Sequence, residues 1–254
     1  MEWYYYPLTI LAGFIAGFIN TIAGSGSVIT LTMLSTLGLP STLANGTNRI
    51  GVLLQSITGT IAYQKKAPIS LKNYRGIIAI SVVGALLGTQ LAIELNPRIL
   101  NFTIGILMIF LLGLILFKPK DWLKEQAVST HRPKWLRYAI FFFIGIYGGF
   151  IQAGVGVFLL SALILGEGLT MVKSNAIKIV IVLFYTIPSL FLFLYYGQVH
   201  WKFGLLLGVG QIIGAWLSAR FATGHPQANK LIRYLLIGIL IFSIYRFFSL
   251  AVVS

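Results

Sequence analysis

The chain has 254 residues, of which 57% are apolar, 14% aromatic and 9% charged; soluble domains carry about 25% charged residues, so a water-soluble enzyme, a disordered segment and a disulfide scaffold are excluded. It has no cysteine, which excludes zinc–thiolate sites, iron–sulfur clusters and thiol nucleophiles. Nineteen Lys and Arg stand against five Asp and Glu. With a mean hydropathy of +0.90, that excess reads as the cytoplasmic loop charge of a membrane protein, not as a nucleic-acid surface.

The chain opens on Trp3, Tyr4, Tyr5 and Tyr6, residues suited to a membrane-interface belt, and this acidic, aromatic start predicts no cleavable leader. Apolar stretches follow near 8–23, 44–63, 76–95, 99–117, 138–153, 175–196, 203–221 and 231–252, close to the roughly 20 residues a bilayer crossing takes. Two shorter stretches, 27–38 and 156–167, each follow a glycine cluster. A dozen helical residues rise only about 18 Å, too little for a crossing. They are predicted to be re-entrant or broken helices, which end inside a membrane only where protein or water satisfies the freed backbone. Lys118 to Arg137 is the longest polar stretch. The expected architecture is an all-α polytopic membrane protein with repeats over 1–118 and 137–254 and a cytoplasmic linker over 119–136.

The two halves resemble each other. Gly17-Phe18-Ile19-Asn20 before Gly24-Ser25-Gly26 recurs as Gly149-Phe150-Ile151-Gln152 before Gly154-Val155-Gly156. Gly38-Leu39 recurs as Gly168-Leu169, and Ala44 to Arg49 aligns with Lys173 to Lys178, each ending on a cation. Gly84 to Gly88 matches Gly210 to Gly214, and the offset stays between 126 and 132 residues throughout. Each half then holds about four spanning helices plus one short glycine-broken element. Placing the Lys65, Lys66, Lys72 and Arg75 loop inside leaves only Arg49, Arg98, Lys202 and Arg246 off the cytoplasmic side. An odd number of passes per half inverts the second repeat, as in many secondary transporters, and puts both termini outside the cell membrane.

In such folds the substrate sits near the midplane, where the breaks face each other. The breaks are Gly24, Ser25, Gly26 and Ser27 in one half, and Gly154 and Gly156 in the other. Helices starting at Ser27 and Val157 would aim their positive N-terminal ends between them, which favours an anion. A second constellation is Asn45, Thr47, Asn48 and Arg49, with Asn175 and Lys178 opposite. Charges inside spanning segments are costly and mark pathways, and a guanidinium matches an oxyanion well. The bland alternative is that Arg49 and Lys178 snorkel to the interface. Asn20, Gln55, Gln152 and Gln211 are further amides at membrane depth, of a kind that commonly bridges helices; Asn20 and Gln152 join the candidate site. The pairs Gly13–Gly17, Gly84–Gly88, Gly145–Gly149 and Gly210–Gly214 predict close helix contacts within the chain, and leave room for a homodimer without indicating one. No Asp or Glu lies well inside an apolar run, and His131, His200 and His225 fall in predicted loops. A carboxylate proton relay and a metal site are therefore not expected, nor is a cofactor.

The run Gly17 to Ser27, then Gly38-Leu39-Pro40, then Ala44-Asn45-Gly46-Thr47-Asn48-Arg49 resembles the signature of the sulfite exporter TauE/SafE family, also called the toluene sulfonate uptake permeases. The resemblance covers essentially the whole chain; Ser25 and Ser27 depart from it where glycine is expected. It implies a bacterial inner-membrane carrier, an exporter, of small sulfur-containing anions such as sulfite or organosulfonates. The alternatives are a channel or carrier for another small anion or a cation and, from another class, an intramembrane hydrolase with a Ser25–Lys178 dyad. No enzyme activity is expected, and the partners expected are the anion and the lipid bilayer.

Overall fold

The computed structural model describes residues 3–64, 68, 70–117, 133–221 and 226–253. Among these residues the chain forms α1 (Tyr5–Ile22), α2 (Ser27–Thr36), α3 (Ser41–Gln64), α4 (Arg75–Glu94) and α5 (Pro97–Phe117). The second half gives α6 (Lys134–Phe150), α7 (Val155–Ser161, widening into a π turn over Ala162–Gly166), α8 (Met171–Tyr195), α9 (Trp201–Phe221) and α10 (Pro226–Val253). The described residues contain no strand, so the all-α expectation holds. Lys65, Lys66, the linker from Lys118 to Arg132, and His225 lie outside them.

Six helices, α1, α4, α5, α8, α9 and α10, are long and apolar enough to cross a membrane. The two expected short elements are present as α2 and α7. At 24 residues α3 is long enough as well, about 36 Å, but its buried face carries Asn45, Thr47, Asn48, Arg49 and Gln55. Some boundaries differ from the sequence expectation, for local reasons. The second short helix begins at Val155, not Val157, because Gly154 takes a left-handed φ of 73° and closes the break earlier. Helix α6 begins at Lys134, directly after Pro133 as its extended N-cap, and α10 begins at Pro226, both several residues before their apolar runs; a proline at the first helical position presets the φ that opens a helix.

Close backbone contacts fix the helix directions. Added methyls on Gly13 and Gly17 of α1 would collide with the Leu207 and Gln211 backbone of α9, and those on Gly210 and Gly214 with Ile10 to Phe18. Both numbers rise together, so α1 and α9 run parallel. Gly84 and Gly88 of α4 meet Phe142 to Phe150 of α6 in the same way, while Gly145 and Gly149 meet Ser81 and Ala85. All the small-xxx-small pairs are thus spent inside the chain, each between a helix of one half and a helix of the other. Across the middle α3 and α8 are antiparallel, with Gly46 against Phe193, Gly59 against Ile179 and Tyr63 packed with Ala176.

One face therefore carries both chain ends and the 37–40, 95–96 and 196–200 turns. The opposite face carries Lys72, Arg75, Arg137, Lys173 and Arg220 and is called the basic face below. Exposed aromatic side chains ring both levels: Trp3, Tyr4, Tyr195 and Trp201 at the first, Trp135, Tyr138, Trp216 and Tyr234 at the second. Such belts mark the two water–lipid interfaces.

The tight crossings predict a sharp contrast between glycines. Gly88→Ala drives a methyl into the Ile146 carbonyl, whereas Gly113→Ala meets open space. Overpacking of this kind costs about 1–3 kcal/mol or more, so Gly88→Ala should lower the melting temperature in detergent by several degrees, with Gly113→Ala unchanged. Equal melting of the two variants would contradict the crossing.

Candidate functional site

The two breaks meet. Gly24, with φ of 78°, ends α1, and Gly156 lies against it so closely that a side chain on either would strike the other's backbone. The Gly156 N–H donates to the Gly24 carbonyl at 3.1 Å. Beside this contact lies a small cavity of about 20 Å³, lined in part by Asn20, Gln55, Ser56, Gln152, Lys178 and Ile179. On this measure about 10–15 Å³ holds one water, so in this closed form the space takes about a water molecule, and a larger ligand requires it to widen.

Each buried cation sits at the end of a broken helix belonging to the other half. Lys178 of α8 donates to the Asn20 and Thr21 carbonyls in the last turn of α1, at 3.0 and 3.1 Å, and to Asn175 Oδ1 at 2.7 Å. Arg49 of α3 donates to the Gly148 and Gly149 carbonyls in the last turn of α6, at 2.8 and 2.6 Å, and to Gln152 Oε1 at 2.7 Å. Its guanidinium also lies 5.6 Å from the Phe193 ring centre. Asn45 completes that turn by donating to the Phe150 carbonyl at 2.6 Å. The last carbonyls of a helix lack helical partners and carry its negative end, and a cation is the fitting cap. Arg49 and Lys178 are 0% and 2% exposed, so neither snorkels.

The N-terminal donors of the short helices are partly taken up by the chain. Asn20 reaches across the first break: its Oδ1 accepts from the Ser27 N–H at 3.2 Å, and its Nδ2 donates to Ser27 Oγ and Gln55 Oε1 at 3.1 and 3.3 Å. In the second break Gln152 holds a φ of 59°, the one left-handed non-glycine among the described residues. Such strained positions cluster at functional sites, and here it turns the amide toward Arg49 and the cavity.

Of the fourteen residues singled out from sequence, Asn20, Gly24, Gln152, Gly156 and Lys178 line the cavity. Ser27, Asn45, Arg49 and Asn175 stand behind it as their hydrogen-bond partners or as helix caps. Asn48 accepts from Thr30 at 2.6 Å, and Thr47 turns away to accept the His200 N–H at 2.9 Å. Ser25 is buried in the first break, Gly26 packs on Ala16, and Gly154 lies under Leu111. Sequence reasoning did not place Ser56 or Ile179 in the site, and it treated Gln55 as a helix bridge. The spacing of Asn45, Asn48, Gln55 and Ser56 along one face of α3 was the available signal. Among the described residues no cluster of metal-ligating side chains occurs.

The comparisons with known proteins agree with this architecture. Residues 9–247 match the family model described as sulfite exporter TauE/SafE. The chain is 30% identical over 227 residues to a probable membrane transporter protein, ORF9, of Sinorhizobium, covering 89% of this chain and 86% of that one. It is 30% identical over 212 residues to a probable membrane transporter protein of Haemophilus influenzae, covering 82% and 81%. It is also 30% identical over 225 residues to the probable membrane transporter protein YfcA of Escherichia coli, covering 88% and 82%. No solved structure matches the chain. With two short helices meeting at a polar cavity inside a bundle of spanning helices, the chain belongs to the sulfite exporter TauE/SafE family and is a multi-pass membrane transporter.

Proposed function

We propose that the protein carries a small sulfur-containing oxyanion, such as sulfite or an organosulfonate, out across the bacterial inner membrane, binding it in the cavity between the two breaks. The observation that carries this reading is charge. Arg49 and Lys178 are buried, and the hydrogen bonds they make go to carbonyls and amides, none to a carboxylate. Each helix C-terminus offers roughly half a negative charge, so two unit cations against two helix ends leave about one positive charge for a ligand to meet. An intramembrane charge of that kind is the mark of a substrate path.

Lys178 touches the ligand in this reading, with Asn20, Gln55, Ser56 and Gln152 as hydrogen-bonding neighbours. Arg49 stands behind Gln152 and holds it. The opposed directions of the two halves and their cross-matched contacts support two inverted repeats, 1–118 and 137–254. Positive-inside bias places the basic face in the cytoplasm and both termini outside. Sulfur specificity comes from the family alone. A cation pathway is disfavoured by the buried cations themselves. A Ser25–Lys178 dyad is disfavoured because the lysine's donors go to Asn20, Thr21 and Asn175.

Melting of the purified protein against sulfite, sulfate, thiosulfate, sulfoacetate, taurine, acetate and chloride tests the substrate. A ligand that binds only the folded state stabilises by about 2.7 kcal/mol at a hundredfold excess over Kd. A sulfur oxyanion is expected to raise the melting temperature and chloride and acetate to leave it unchanged; a flat panel would sink the substrate assignment. Lys178→Met should abolish the shift while the protein remains monodisperse, and a shift equal to that of the wild type would remove Lys178 from the site.

Arg49→Ala separates capping from binding. It leaves the Gly148 and Gly149 carbonyls to weaker partners, and an unsatisfied buried group costs about 1–3 kcal/mol. The variant should therefore melt lower than wild type without any ligand and transport poorly. Wild-type melting with lost transport would instead make Arg49 a direct ligand.

A further inference from the structure

The polar lining of the cavity continues beyond it along α3. Ser56, Thr60 and Tyr63 follow one another at four and three residues, so they share one helix face. Each has a buried side-chain oxygen without a hydrogen-bond partner, and Ser56 and Tyr63 are only 1% and 2% exposed. This departs from the habit of the bundle. Thr21, Thr32, Thr58 and Ser81 all return their hydroxyls to the carbonyl four residues back, the usual refuge for a hydroxyl in a helix. Ser56 and Thr60 have the same refuge within reach and do not take it.

Because α3 runs toward the basic face, the three hydroxyls step from the cavity to that face. The seam beside them is narrow. Gly59 admits Ile179 of α8 so closely that an added methyl would lie 3.2 Å from it, and Tyr63 packs in one apolar cluster with Ala176 and Ile179. Ile179 also lines the cavity, so its side chain touches both the cavity and the cluster that holds Tyr63. Hydroxyls can donate as well as accept, and a desolvated anion needs donors at every stage of its path.

We infer that the α3–α8 seam is the anion's route between the cavity and the basic face, closed in this structure by Ile179 against Gly59, with Ser56, Thr60 and Tyr63 as successive donors. It rests on the reading of the protein as an anion carrier. Tyr63 forms the mouth, and the unpartnered hydroxyls are those that the passing anion and its water would engage. The lipid-facing side of the same turns has no such role: Ile57 and Ile61 are 41% and 59% exposed.

The chain has no cysteine, so single cysteines report on this route without background. Ser56→Cys, Thr60→Cys, Ile57→Cys and Ile61→Cys, each first checked as monodisperse, are treated in sealed vesicles of either orientation with a sulfonated, membrane-impermeant thiol reagent. The reactive thiolate forms where water reaches, so modification at positions 56 and 60 should run roughly tenfold or more faster than at 57 and 61, and only from the basic face. Equal rates at all four positions, or reaction from the opposite face alone, would overturn the route. Adding Tyr63→Ala to Thr60→Cys should accelerate modification further, and an unchanged rate would remove Tyr63 from the mouth. The labelling uses no substrate: a flat anion panel counts against the substrate, whereas the labelling pattern alone decides the route.

Discussion

A helix that stops inside a membrane leaves its last carbonyls without partners, and no water of the bilayer core can supply them. The centre of this protein is organised by that debt. At the end of α6, Tyr147 accepts from the Ile151 N–H, Gly148 from Gln152 and Arg49, Gly149 from Arg49 and Thr89, and Phe150 from Asn45. At the end of α1, Ile19 accepts from the Ala23 and Gly24 N–H groups, while Lys178 serves Asn20 and Thr21. Arg246 of α10 does the same for Ser35 in the last turn of α2, at 2.8 Å. The cations are thus placed where helix ends demand them, and the breaks can exist because the cations do.

Each cap comes from the other half of the chain. The caps on α1 and α6 and the glycine crossings α1–α9 and α4–α6 all join residues before the linker to residues after it. Neither half contains what its own broken helix needs, so neither satisfies its own backbone. The duplication in sequence is therefore a duplication of complementary parts. Gly24 against Gly156 is the point where the two sets touch, and the cavity forms there because two glycines bring backbones together while the longer Asn20, Gln152 and Lys178 side chains hold neighbouring elements apart.

Much of this was legible in the residues. Hydropathy found the ten α-helices of the described residues, the glycine clusters found the breaks, and the spacing of small residues found the crossings, because each is a one-dimensional signal with a local cause. What a helix packs against is not of that kind. The Gly13–Gly17 pair announces a close neighbour but cannot say that it is α9. Arg49 and Lys178 look equivalent in sequence, each one to two turns into a long helix, and both suggested an anion site. Their shared role as caps depends on helix ends about a hundred or more residues away. Ser56 escaped notice for the opposite reason. A serine in an apolar helix normally hides its hydroxyl on its own backbone, and only the absence of that bond sets it apart.

The two cations are also chemically unequal, and this makes the cavity asymmetric. Arg49 spreads its fork over two carbonyls and two side-chain amides and leans on Phe193, a planar arrangement that an ammonium could not reproduce. Lys178 is a point charge on a flexible stem, held by two carbonyls and one amide at the cavity wall. In the proposed reading as an anion carrier, an arriving anion would draw the ammonium out of such a cage by small rotations of its stem. Withdrawing the guanidinium would break its whole set of bonds together. The adjustable charge therefore lies on the side formed by α8 and the end of α1, and the fixed one stays behind Gln152. In that reading, movement of Lys178 on binding would loosen its bonds to the Asn20 and Thr21 carbonyls. Those belong to the same turn whose Asn20 side chain ties α1 to Ser27 and Gln55, so a shift of the lysine reaches the first break and α3 through one residue.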